Sequence, residues 1–176
     1  MKGERAMRPQ VCKWLTDKGF IPVFEIHLAN FGATDIVAGS FADEEKTPSL
    51  LDMIAVELKL TDIAGVLRQA GNNRHIVPLS YAAMPEAVCR RMKKKTLARF
   101  WLDGIGLLSV GDTVTEIVEP KRFDEKPDHL RPDGWRWKNL GKRLWRRRNE
   151  WEKRLTHSVR FVKGRIQLVE PLPLLI

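Results

Sequence analysis

Asp35 stands in the apolar run Ala33-Thr34-Asp35-Ile36-Val37-Ala38, and 22 positions later a second run, Ile54-Ala55-Val56-Glu57-Leu58-Lys59-Leu60, carries a Glu-x-Lys triplet. Both runs read as strands. Alternate residues of a strand point the same way, so Glu57 and Lys59 share one face while Val56 and Leu58 take the other. Two carboxylates beside an ammonium group are the inventory needed to hold a divalent cation and an attacking water, and phosphodiester hydrolysis is the chemistry that uses it. A Glu-x-Lys triplet at a strand edge is, by itself, more often an exposed charged pair than a catalytic dyad. What distinguishes this one is its apolar frame, because a charge near a core carries a desolvation cost unless a partner offsets it.

The elements that would bring these residues together follow from periodicity. Met7, Val11, Trp14 and Leu15 recur at helical spacing over residues 4–18, with Pro9 in the first turn or at a kink and Gly19 as the stop. Phe20–Leu28 and Ala33–Gly39 read as strands around an Asn30-Phe31-Gly32 turn, and Met53–Leu60 as a third. Asp62 caps a helix to about Asn72, with Ile63, Val66, Leu67 and Ala70 on its apolar face. His75–Ala83 follows as a strand in which Pro78 is confined to an end, an edge or a bulge. Pro85 opens a helix bearing the basic run Arg90-Arg91-Met92-Lys93-Lys94-Lys95, a pattern that is usually a solvated face, and a hairpin turns at Gly111-Asp112. This order predicts an α/β fold with a mixed sheet.

Charge divides the chain of 176 residues. Residues 1–119 carry 15 basic and 15 acidic side chains, and residues 120–176 carry 16 against 7, so the whole excess of +9 lies in the last third. We therefore expect a core over residues 1–120 and a basic, Trp-rich extension over 121–176. In that extension Trp137, Leu140, Leu144, Trp151 and Leu155 fall on one helical face over residues 135–156, with Lys142, Arg143, Arg146, Arg147 and Arg148 on the remainder and a short hairpin after it. Trp145 and these cations could stack on bases and hold phosphates, or the tryptophans could dock the extension on its parent domain. A basic amphipathic helix also fits an anionic lipid surface, although the hairpin after it favours a folded module.

Other chemistries find little support. Cys12 and Cys89 are 77 positions apart and read as reduced packing residues. His27, His75, His129 and His157 lack zinc-site spacing, and Gly104-Ile105-Gly106-Leu107 lacks the Gly-Lys-Ser/Thr ending of a phosphate loop. No run of about 18 apolar residues and no signal-peptide core appears, so a cytoplasmic protein with no membrane association is expected.

Asp35 with Glu57-Leu58-Lys59, in this order of elements, resembles the PD-(D/E)XK nuclease superfamily over roughly residues 1–119. Thr34 stands where the family's name has Pro. The resemblance implies a restriction-endonuclease-like core, with a mixed central sheet flanked by helices and a small basic helix-hairpin C-terminal extension. It implies Asp35 and Glu57 as ligands of Mg²⁺ or Mn²⁺, the Leu58 carbonyl as a third oxygen donor, and Lys59 as the residue that orients or helps deprotonate the water. A lysine is a poor general base unless its surroundings depress its pKa, and otherwise acts as an electrostatic clamp. Glu4, ahead of Pro9, and Gln69, on the helix after the Glu-x-Lys strand, match supporting positions; Glu4 is equally an acid favoured by a helix dipole. Glu25, placed by alternation on the face of Val23 and His27, reads as an accessory ligand or as the neutralised partner of a Lys or Arg. DNA is the implied partner, and cutting both strands would need a homodimer or two encounters. The alternative is a nucleic-acid-binding protein that keeps the fold and does not cut.

Overall fold

The computed structural model describes residues 3–29, 32–41, 50–123, 138–146, 159–162 and 165–168. A short 3₁₀ turn, Glu4–Met7, leads into α1, Arg8–Asp17, with Pro9 in the first turn, where its missing N–H costs no helical bond. Gly19 follows with φ 82, a conformation glycine adopts without strain. Strands β1 (Ile21–Ala29), β2 (Gly32–Phe41) and β3 (Leu50–Leu58) form an antiparallel meander.

Helix α2, Ile63–Arg74, begins where the Asp62 carboxylate accepts the Gly65 N–H at 2.8 Å. It runs past the expected end near Asn72. The expected strand start at His75 is displaced for the same reason: the amides of His75, Ile76 and Val77 are spent on the carbonyls of Asn72 and Asn73, and Pro78 has no N–H to give. Strand β4 is accordingly Leu79–Pro85. The single helix expected after Pro85 is two, α3 (Glu86–Cys89) and α4 (Lys94–Asp103), separated at Lys93, whose backbone is extended. Strands β5 (Gly106–Val110) and β6 (Val114–Val118) form the expected hairpin.

The six strands lie in sequence order in one sheet, with β3, β4 and β5 parallel and the outer pairs antiparallel, so the fold is α/β with a mixed sheet flanked by helices. One face, with Ile36, Ile54, Val56, Leu58, Tyr81 and Leu108, packs on Met7 of the 3₁₀ turn and on Val11 and Leu15 of α1. The other face is covered at one end by α2 and α4, through Val66, Ala70 and Phe100 on Ala82, Met84 and Leu107. Its other end is covered by α5, at 138–146, whose Leu144 is fully buried beside Val37, Met53 and Ala55. The Trp145 ring meets Phe41 edge-on at 5.3 Å. Strands β7 (Val159–Val162) and β8 (Arg165–Leu168) make a separate two-stranded antiparallel sheet at the expected hairpin. Among the described residues no helix is long and apolar enough to cross a membrane.

Candidate active site

Glu57 is the penultimate residue of β3, and odd-numbered positions of that strand face α2 and α5. It is 3% exposed. Its neighbours Val56 and Leu58 fill the opposite core beside α1, as alternation requires. Asp35 is placed by β2. The β2–β3 ladder is paired through Ile36 and Val56, and beyond that pair the Asp35 side chain takes over, its Oδ2 accepting the Leu58 N–H at 2.9 Å. A carboxylate thus stands in for the backbone acceptor at the frayed end of the ladder.

That substitution brings Asp35 against Glu57. Burial pushes the Glu57 carboxyl up to about 7; the Asn73 hydrogen bond opposes the rise, the charge of Asp35 and a hydrogen bond with it add to it, and the Lys59 charge lowers it. Lys59 lies one residue beyond the observed end of β3, where its N–H donates to the Ala83 carbonyl at 3.1 Å. Its Nζ reaches Glu4 Oε2 at 3.2 Å. Glu4, Asp35, Glu57 and Lys59, drawn from 3 separate elements and the residue after one of them, therefore form one chain of charge contacts.

Two residues of this cluster had no site role in the sequence reading. Asn73, 4% exposed on α2, donates from Nδ2 to Glu57 Oε1 at 2.6 Å. Thr34, 2% exposed, donates its hydroxyl to Asn73 Oδ1 at 2.9 Å, which fixes the amide with its NH₂ toward Glu57. Thr34, the residue just ahead of Asp35, thus orients the site's amide. Gln69 is one helical turn before Asn73, and its Oε1 is buried without a hydrogen-bond partner among the described residues. Its spacing of four from Asn73 is the signal that could have drawn attention to the asparagine.

Glu25 departs from simple alternation. Its φ is 52, left-handed for a non-glycine residue, and it stands between the paired couples Phe24–Ile36 and Ile26–Thr34, opposite Asp35. Across this point the faces exchange: Phe24 packs with the α1-side core, while Val23 and Ile26, three apart, both join the other. The Glu25 carboxylate, exposed, accepts from Arg5 and from buried Arg8, each at 2.9 Å, and is held below the usual carboxylate range by the Arg8 hydrogen bond and the Arg5 charge. Arg8 also stacks over Phe24 at 4.9 Å.

Of the tail residues, Lys142, Arg143 and Arg146 are exposed on α5, Trp145 is half-buried on Phe41, and Arg147 and Arg148 lie outside the described residues. Among the described residues no group of three or more His, Cys, Asp or Glu side chains is arranged to hold a metal ion. The candidate ligand set is two carboxylates. It fits a hard divalent cation, because two acids pressed together in a buried place repel unless a cation or a proton sits between them.

No family model and no curated protein matches the chain. Its fold is similar to that of a solved protein of unknown function, SPO1766 from Silicibacter pomeroyi, with a TM-score of 0.54 at 12% identity over 89% of this chain and 90% of that one.

Proposed function

We propose that the chain is a divalent-metal-dependent endonuclease that hydrolyses phosphodiester bonds of DNA on a restriction-endonuclease-like core. The observation that carries this reading is the contact of Asp35 with buried Glu57 beside the Lys59–Glu4 pair. Asp35 and Glu57 would hold Mg²⁺ or Mn²⁺, with the Leu58 carbonyl as a further oxygen donor. When bound, the ion acidifies a coordinated water and offsets charge on the phosphate. Lys59 orients the water and the scissile phosphate by charge, and Glu4 fixes the lysine side chain. Asn73, held by Thr34, keeps one Glu57 oxygen occupied so that the other faces the site. Gln69 supports the same region of α2.

A second reading, a nucleic-acid binder that does not cut, is favoured by the fact that one oxygen of each carboxylate is already engaged, by the Leu58 N–H and by Asn73. A metal-titrated cleavage assay on supercoiled, linear, branched and single-stranded DNA separates the two. Cleavage that Asp35→Ala and Lys59→Ala both abolish, with binding retained, supports the enzyme. No cleavage of any substrate by the unaltered protein supports the binder.

A further inference from the structure

The basic run Arg90–Lys95 is placed by the fold at the end of the sheet that carries Glu57 and Lys59. Strands β3, β4 and β5 are parallel, and Lys59, just past β3, donates its N–H to Ala83 near the end of β4. Helix α3 starts directly after Pro85, and its Glu86 side chain lies against Gly111 at the end of β5, so it caps this same end. Two extended residues, Met84 and Pro85, and the single turn of α3 separate Ala83 from Arg90, a span of no more than roughly 16 Å.

Five of the six residues in the run are cations, and all five are exposed. Arg90 is taken by Glu86 at 2.6 Å, while Arg91, Lys93, Lys94 and Lys95 make no ion pair among the described residues. Lys94 and Lys95 occupy the first turn of α4, where like charges and the helix dipole both oppose them. Such a concentration is unfavourable in the free protein and would be relieved by an external polyanion.

Helix α5 lies over Val37, Met53 and Ala55, with its Trp145 on Phe41, which pairs with Leu50 at the start of β3.

We infer that Arg91, Lys93, Lys94 and Lys95 form the surface that holds the phosphodiester backbone of a nucleic acid beside the Asp35–Glu57–Lys59 site. This rests on the nuclease reading for the role of that site, but the surface can be tested without cleavage. The path from Ala83 to Arg90, roughly 16 Å at most, matches about five base pairs at 3.4 Å each, so a duplex held by the run extends over this end of the sheet.

The experiment is equilibrium binding of a DNA duplex in EDTA over a range of salt, comparing the full chain with the variant Arg91→Gln/Lys93→Gln/Lys94→Gln/Lys95→Gln and with Lys142→Gln/Arg143→Gln/Arg146→Gln. Each lost phosphate contact removes about 0.9 from the slope of log affinity against log salt, so the first variant should flatten it by about 2 to 4. Unchanged melting of the variant checks its fold. An unaltered slope in a folded first variant overturns the inference, as does loss of binding to polyglutamate without loss of binding to DNA. If the unaltered chain cuts no substrate yet the slope falls as expected, the nuclease reading fails and this surface stands; if it cuts and the slope does not move, the reverse holds.

Discussion

Asn73 Nδ2 lies 2.6 Å from Glu57 Oε1, joining a helix to a strand through two buried polar groups. A hydrogen bond to the ionised form favours that form, so this contact works against the burial that keeps Glu57 protonated.

Replacing Asn73 with Leu should therefore raise the Glu57 pKa above its value of about 7 and shift any metal-dependent activity to higher pH. The pH profile of cleavage, or a direct titration of Glu57, reads this. Thr34→Val should do the same more weakly, because the amide remains but loses the hydroxyl that orients it, at a cost of about 1 kcal/mol in stability.

The contribution of Glu57 to stability without metal should fall as pH rises from 4.5 to about 7. A carboxyl with an ordinary value of 4.5 and a folded value of about 7 binds more protons folded than unfolded between those limits. Folding is thus unpenalised by this group below pH 4.5, and the loss grows to about 3 kcal/mol once pH passes 7. Glu57→Gln should remove the trend, so the variant gains on the unaltered protein at pH 8 and not at pH 4. A difference in melting temperature that ignores pH would contradict this.

Mg²⁺ or Mn²⁺ should raise the melting temperature at pH 8, since a ligand bound only by the folded chain stabilises it in proportion to RT ln(1 + [L]/Kd). Asp35→Ala should abolish that increment. If the rise survives in Asp35→Ala, the ion sits elsewhere.

Glu4→Ala should cost under about 1 kcal/mol of stability, because the Lys59–Glu4 pair is partly solvated. A loss of cleavage greater than about tenfold would then be assigned to the freed Lys59 side chain and not to unfolding. Thermal melts and rates measured on the same preparation separate the two.

Leu144→Ala, at a fully buried position, should destabilise the chain by about 2–5 kcal/mol and leave divalent-cation binding unchanged, as expected if α5 is part of the core cover and not of the site.

The sequence by itself determined the strand frame of Asp35 and Glu57, the opposition of Glu57 to Val56 and Leu58 across the sheet, the Asp62 cap, the β1–β2 and β5–β6 hairpins and the β7–β8 pair. These are local: a period of two, a capping carboxylate and short turns need no distant partner to be legible. Tertiary structure decided the rest. Asn73 stands just past the helix end expected near Asn72, and only packing of α2 across the sheet gives it Glu57 and Thr34. The exchange of faces at Glu25 arises from one left-handed residue, which no alternation pattern announces. Trp145 carried equal claims to bases and to docking until Phe41 supplied an apolar partner. The basic run that links α3 to the first turn of α4 is set by parallel pairing at the same end of the sheet as the carboxylates, which no local pattern could announce, because charge acts through space and sequence records only order.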